Sequence, residues 1–213
     1  MVLRKITGLF VCALVIGCAA FATAGIPDPV ESNPTMPNGS GSLALFNLPN
    51  GGGSPFTAAQ LLGGTGAEVD ATIECIVNDA FGVAVPDFPA EDMWLASTNG
   101  GMTPCTGGTA ADQNTDALGY TVWANPLRAG GNDAGTCEVM VNGDALTGGS
   151  APFALAFNSA DISGDGIVNL ADVGLFSGIL FGAYDFAADF FADGQMNLAD
   201  VGRMALGVGT SCP

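Results

Sequence analysis

Glu68-Val69-Asp70-Ala71-Thr72-Ile73-Glu74-Cys75-Ile76-Val77 alternates along nearly its whole length. Val69, Ala71, Ile73, Cys75 and Val77 fall on one side of an extended chain, and Glu68, Asp70, Thr72 and Glu74 on the other, with Ile76 the one exception. A period of two marks a strand with one face in a core and one in water; a helix would repeat every three to four residues. Further β-rich runs occur at Leu43 to Leu48, Met93 to Ser97, Tyr120 to Ala124, Thr136 to Asn142 and Pro152 to Phe157. Turn formers such as Asn99-Gly100-Gly101 and Asn142-Gly143-Asp144 bound several of them. Short strands spaced by roughly 8 to 12 residues, over the about 115 residues of 43–158, predict an all-β sandwich.

Two stretches of this region, Val77-Asn78-Asp79 through Gly82 to Val85-Pro86 and Asn114-Thr115-Asp116-Ala117-Leu118-Gly119 leading into Tyr120, resemble bacterial immunoglobulin-like domains of the invasin type. The resemblance implies an Ig-like antiparallel β-sandwich and names no ligand, because function resides in sites and not in folds.

Upstream, residues 25–42 are rich in Pro, Asn, Gly and Ser and read as a linker. Residues 1–24 read as a signal peptide: Arg4 and Lys5 precede the apolar stretch Ile6 to Ala20, and Ala22-Thr23-Ala24 supplies a cleavage site. The apolar stretch is short, with no stop-transfer pattern after it, so no transmembrane span is expected. Val15-Ile16-Gly17-Cys18 resembles a lipobox, which leaves two destinations open: free secretion, or a lipid anchor at Cys18 on the cell surface. Cleavage leaves Cys75, Cys105, Cys137 and Cys212 in an oxidising compartment; two disulfides are expected, with three pairings open.

Composition narrows the chemistry. The chain has 21 Asp plus Glu against 4 Lys plus Arg, no His, and a formal charge of -17. Such a surface repels phosphate, so no nucleic-acid partner is expected. Without His there is no Ser-His-Asp triad, Cys-His pair or His-ligated metal, and the single lysine, Lys5, lies in the signal peptide. A non-catalytic protein is therefore expected. A carboxylate pair alone would suffice for glycoside hydrolysis, but Glu68, Glu74, Glu91, Asp92 and Glu138 each read equally as solvated surface. Carbohydrate binding would need aromatic platforms; the candidates are Trp94, Trp123 and Tyr120, and Trp94, between Met93 and Leu95, reads as core.

The residues after the predicted sandwich contain an internal repeat. Asp161-Ile-Ser-Gly-Asp165-Gly166-Ile-Val-Asn169-Leu-Ala-Asp172-Val-Gly174 recurs 28 residues later as Asp189-Phe-Phe-Ala-Asp193-Gly194-Gln-Met-Asn197-Leu-Ala-Asp200-Val-Gly202. Each copy has the spacing of a twelve-position calcium loop, with oxygens at positions 1, 3, 5, 7, 9 and 12 and glycine at 6, because calcium requires six to eight hard oxygen ligands. The first loop offers Asp161, Ser163, Asp165, the Ile167 carbonyl, Asn169 and Asp172. The second offers Asp189, Asp193, the Gln195 carbonyl, Asn197 and Asp200, but has Phe191 at position 3, so two Ca2+ sites are expected with the second weaker. Position 8, Val168 or Met196, is expected to pair the loops through a short β-bridge, and apolar faces through Leu170, Val173 and Phe176 and through Leu198, Val201 and Ala205 predict two helices packed on each other.

A duplicated loop-helix without an entering helix, with Asp at position 12 and Asn at position 9, resembles a dockerin. The resemblance implies a small α-helical domain at 159–213 with paired calcium loops, a cohesin-like protein partner, and company with polysaccharide-degrading proteins. Cellulosomal dockerins carry hydroxyl residues at positions 10 and 11, where this chain has Leu170-Ala171 and Leu198-Ala199.

Overall fold

The computed structural model describes residues 25–64 and 66–213. Residues 1–24, read as a signal peptide, and with them Cys18, the alternative site of a lipid anchor, fall outside the described residues. Among the described residues the chain forms strands β1 (Asn33–Thr35), β2 (Leu43–Asn47), β3 (Ala59–Leu61), β4 (Glu68–Val69), β5 (Ile73–Ile76), β6 (Met93–Ser97), β7 (Met102–Pro104), β8 (Tyr120–Trp123), β9 (Ala129–Gly131), β10 (Cys137–Val141), β11 (Asp144–Ala145) and β12 (Leu155–Ser159). Helices α1 (Leu170–Leu180) and α2 (Leu198–Gly207) follow. Neither is long and apolar enough to cross a membrane.

The fold is mainly β. Strands pair as β1-β5-β8, β11-β10-β6, β7-β9 and β12-β2-β3-β4. All these pairings are antiparallel except β2 with β12, which run parallel from Leu43 opposite Leu155 to Asn47 opposite Ser159. That pair departs from the wholly antiparallel expectation. Parallel neighbours need a long crossover, and here the chain between Asn47 and Leu155 provides it.

The alternating stretch 68–77 is two strands and not one. Asp70 Oδ1 accepts from the Thr72 N–H at 2.9 Å and the Thr72 hydroxyl at 2.6 Å. This side-chain turn competes with the ladder, so β4 pairs with β3 while β5 passes between β1 and β8. The alternation survives within β5: Ile73 and Cys75 are buried and Ile76 is exposed on the polar face. Residues 25–42, read as a linker, contain β1, which pairs Asn33 with Ile76 and Thr35 with Glu74. Ser32 is buried and bonds to Asn78 through both its hydroxyl functions. Local composition gives no warning of an edge strand whose partner is 40 residues away.

One apolar cluster, including Leu43, Leu45, Phe56, Ile73, Val77, Met93, Leu95, Trp123, Val139, Leu155 and Phe157, draws on all these sheets. Trp123 is fully buried and donates Nε1–H to the Thr109 carbonyl at 3.1 Å. Trp94 does not share that core. It alternates with the buried Met93 and Leu95 and is half-buried on the other face of β6, which corrects its reading as core.

β2 and β12 are buried on both faces. Leu43, Leu45, Leu155 and Phe157 point into the β core. Phe46 joins a second cluster with Leu48, Val168, Phe176, Phe190 and Met204, and that cluster is the core of the helical unit. The two helices therefore meet through side chains shared with β2, rather than packing on each other alone.

Cys105 and Cys212 form a disulfide across 107 residues. Cys75 and Cys137 are buried free thiols, which corrects the expectation of two bridges. They lie on different sheets, in β5 and β10, as small apolar core side chains. Burial pushes the Cys75 thiol up to about 12 and raises Cys137 as well, so neither is poised for exchange.

Candidate metal centre

Asp161 lies two residues after the end of β12, and its carbonyl accepts from the Gly131 N–H of β9 at 2.7 Å, so the sheet fixes the start of the first loop. The Asp161 carboxylate is fully buried. Its Oδ1 accepts from the N–H groups of Gly164 (2.9 Å) and Asp165 (3.2 Å) and from the Ser163 hydroxyl (3.3 Å), and Oδ2 accepts from Gly166 N–H (2.8 Å). Glycine at 166 takes φ +86°, the left-handed turn that folds these amides back. Asp172, also fully buried, accepts from Ser163 N–H (2.9 Å) and Asn169 N–H (2.9 Å). Asn169 caps α1 by accepting from Ala171 N–H at 2.7 Å, so Asn169 and Asp172 form a capping box.

The result is convergence. Asp161, Asp165 and Asp172 each present an oxygen, and these atoms lie within 4.8 Å of one another. Among the described residues no other group of three acidic or cysteine side chains comes that close. Burial pushes the Asp161 carboxyl above the usual carboxylate range, and the neighbouring charges of Asp172 and Asp165 push it the same way, against the lowering effect of the Gly166 and Asp165 amides. Ser163, Asp165 and Ile167 are exposed and Asn169 is half-exposed, so the loop opens to solvent on the side opposite β9. Hard oxygens, excess negative charge and one open side suit a divalent cation such as calcium.

The second loop repeats the same lattice. Asp189 accepts from Asp193 N–H (3.2 Å) and Gly194 N–H (2.8 Å), and Asp200 from Phe191 N–H (3.1 Å) and Asn197 N–H (2.9 Å). Asn197 caps α2 from Ala199 N–H, and the Gln195 N–H donates to Asp193 Oδ1 at 2.8 Å. Asp189 and Asp200 are fully buried. Burial raises the Asp200 carboxyl, with the Asp189 charge adding to it. Two features have no counterpart in the first copy: the Tyr184 hydroxyl donates to Asp189 Oδ2 at 2.8 Å, and the Arg203 guanidinium lies 3.7 Å from the centre of the Phe191 ring.

The loops do not pair with each other at position 8. Val168 instead exchanges hydrogen bonds with the C-terminal tail: its N–H donates to the Thr210 carbonyl, and Gly209 N–H donates to the Val168 carbonyl, both at 2.9 Å. Cys212 N–H donates to the Gly166 carbonyl at 2.8 Å, and the disulfide holds the tail in place. A tethered tail thus takes the edge expected for the second loop.

The other candidates lie elsewhere. Glu68, Glu91 and Asp92 are exposed and Glu74 and Glu138 half-exposed. Trp94 lines a cavity of about 260 Å3 with Glu91, Pro104 and Thr109. Sequence reasoning missed Asp133, which is buried and accepts from the N–H groups of Asn99, Gly101 and Gly135; the Asn132-Asp133 step after Gly130-Gly131 was the available turn signal.

No protein-family model matches the chain, and no curated protein matches it in sequence. Among solved structures it is similar to the crystal structure of the Lin-41 filamin domain, at 12% identity and a TM-score of 0.28, over 63% of this chain and 97% of that one. At that score the architecture rests on the strand pairings themselves.

Proposed function

We propose that this is a secreted, non-catalytic protein in which an Ig-like sandwich carries a dockerin-like module, and that calcium bound in the first loop orders the module for docking to a protein partner. The observation that carries the reading is the approach of Asp161, Asp165 and Asp172 oxygens to within 4.8 Å. Three carboxylates so placed repel one another, and a divalent cation removes that repulsion while Ser163, the Ile167 carbonyl and Asn169 complete the oxygen set. The docking side follows from exposure. Leu170 and Leu198, at position 10 of each loop, are 83% and 84% exposed, with Phe181 and Leu206 also bare. Apolar groups repeated on one small unit suit a protein surface. A cohesin-like domain is the partner class that the dockerin resemblance brings.

The test is capture of extracellular proteins from the native organism on the immobilised chain, with calcium and with chelator, alongside an Asp172→Asn chain. One partner retained with calcium and lost in the other two conditions is expected. A partner held equally in all three contradicts calcium-ordered docking.

A carbohydrate-binding role is the second reading, favoured by the outward Trp94 beside Glu91 in its cavity of about 260 Å3. An indole face with one acceptor and little positive charge suits a neutral sugar ring. Retention on insoluble polysaccharide, lost in Trp94→Ala, would support it.

A further inference from the structure

The second loop meets a cation differently from the first, and the copies show why. Of the differences between the copies, three bear on the ion: position 3 is Ser163 in the first and Phe191 in the second, Leu175 of α1 corresponds to Arg203 of α2, and Tyr184 stands upstream of the second loop where β12 has Ala156 before the first. Phe191 removes the oxygen donor at position 3. Tyr184 takes Asp189 Oδ2, the position-1 oxygen already bonded to Gly194 N–H, with a hydroxyl at 2.8 Å. Arg203 places a permanent positive charge beside the loop.

The guanidinium is held from every side. Nη1 donates to the Phe190 carbonyl at 2.7 Å. With its amide nitrogen donating to the Phe191 carbonyl (2.6 Å), the buried Gln60 of β3 accepts from Arg203 Nη2 at 3.0 Å. The plane lies on the Phe191 ring and 5.1 Å from the centre of the Phe46 ring. Burial lowers the Arg203 guanidinium from its ordinary value, and the charges of Asp200 and Glu68 offset part of that effect. Arg128 and Arg203 are the only basic side chains in residues 25–213, so placing one of them here is a large share of the positive charge available.

We propose that the second loop is a metal-independent copy, in which Arg203 and Tyr184 supply from within the chain the positive charge and donor that an ion supplies to the first. The contrast rests on the calcium reading of the first loop, but the claim about the second loop stands separately. The module then has a constant half, anchored to β2 and β3 through Arg203, and a half that responds to calcium. Position 3 marks the division: an oxygen donor in one copy and a cation platform in the other.

Calorimetric titration of the full chain with calcium tests this, with Asp172→Asn, Asp200→Asn and the double variant Phe191→Ser/Arg203→Leu, each checked for folding by circular dichroism. One ion per chain is expected, lost in Asp172→Asn and kept in Asp200→Asn, with a second ion gained by the double variant. A second ion in the unaltered chain that Asp200→Asn removes overturns the proposal. No ion in the unaltered chain but one in the double variant overturns the calcium reading of the first loop and upholds this one. Should the double variant not fold, hydrogen exchange in the unaltered chain decides: the Gly194 amide is expected to be protected equally with calcium and with chelator. Protection that appears only with calcium overturns the proposal.

Discussion

Asp133 and Asp161 flank β9 as buried carboxylates that respond to pH in opposite senses. Burial alone would raise Asp133, but N–H donors from Gly101 and Gly135, with Ser97 and Asn99, bring it below its ordinary value. A carboxyl depressed on folding stabilises the protein above its unfolded value of about 3.9, and that contribution fades as pH falls through the lower folded value. Asp133→Asn is therefore expected to cost about 2 kcal/mol at pH 7, as for loss of a charged hydrogen-bond acceptor, and less at about pH 3, where the contribution is fading. Urea unfolding at the two pH values measures it, and an equal cost at both would contradict the assignment. Asp161 is raised instead. Without metal, its contribution is fully present below the unfolded value of about 3.9 and is lost as pH rises through the raised folded value. Calcium cancels that loss by pairing with the ionised form, so the rise in melting temperature on adding calcium is expected to grow from pH 4 to pH 7. A calcium effect that is flat over that window would count against Asp161 as a ligand.

The first loop joins an element that reads clearly in the sequence to one that does not. The loop and its helix were legible: the repeated Asn-Leu-Ala-Asp forms both capping boxes, and the glycines at 166 and 194 take the required left-handed turns. Local rules suffice there because the hydrogen bonds that the loop carboxylates and caps accept all come from within nine residues. What the loops rest on was not legible. β1, the parallel β2–β12 pair, and the C-terminal tail against Val168 are settled by partners far away in sequence, and no local period encodes a distant edge. The Gly130-Gly131 segment of β9 is the clearest case. A Cβ at Gly130 would overlap the Asp161 Oδ2 atom, so the glycine is there for the neighbouring loop and not for the strand. Gly130→Ala is expected to destabilise by about 1–3 kcal/mol and to weaken calcium binding by displacing that carboxylate. Terbium luminescence checks the second effect, and unchanged affinity in a folded variant would show that Asp161 moves without consequence.

Across the whole molecule, the helical unit and the β layers are cross-linked at several independent points. Phe46 and Leu48 belong to the unit's core, Asn158 Nδ2 donates to the Asp189 carbonyl at 2.6 Å, Gly63 N–H donates to the Ala192 carbonyl at 2.8 Å, and Arg203 joins Gln60. The disulfide closes a 107-residue loop between the β region and the tail that pairs with the Asp161–Asp172 loop, a closure worth about 4–5 kcal/mol in the chain-entropy account. A unit of some 50 residues holds a marginal core by itself, so losing it would strip one face from β2 and β12, which are buried on both. The two parts should consequently unfold together. Calcium at a hundred times its dissociation constant adds about 2.7 kcal/mol at one site, which for a chain of this size raises the melting temperature by roughly 5–10 °C. Scanning calorimetry is expected to show one transition that shifts as a whole when calcium replaces chelator. Two resolved transitions, of which only the smaller moves, would show that the shared face of β2 couples the parts too weakly to matter.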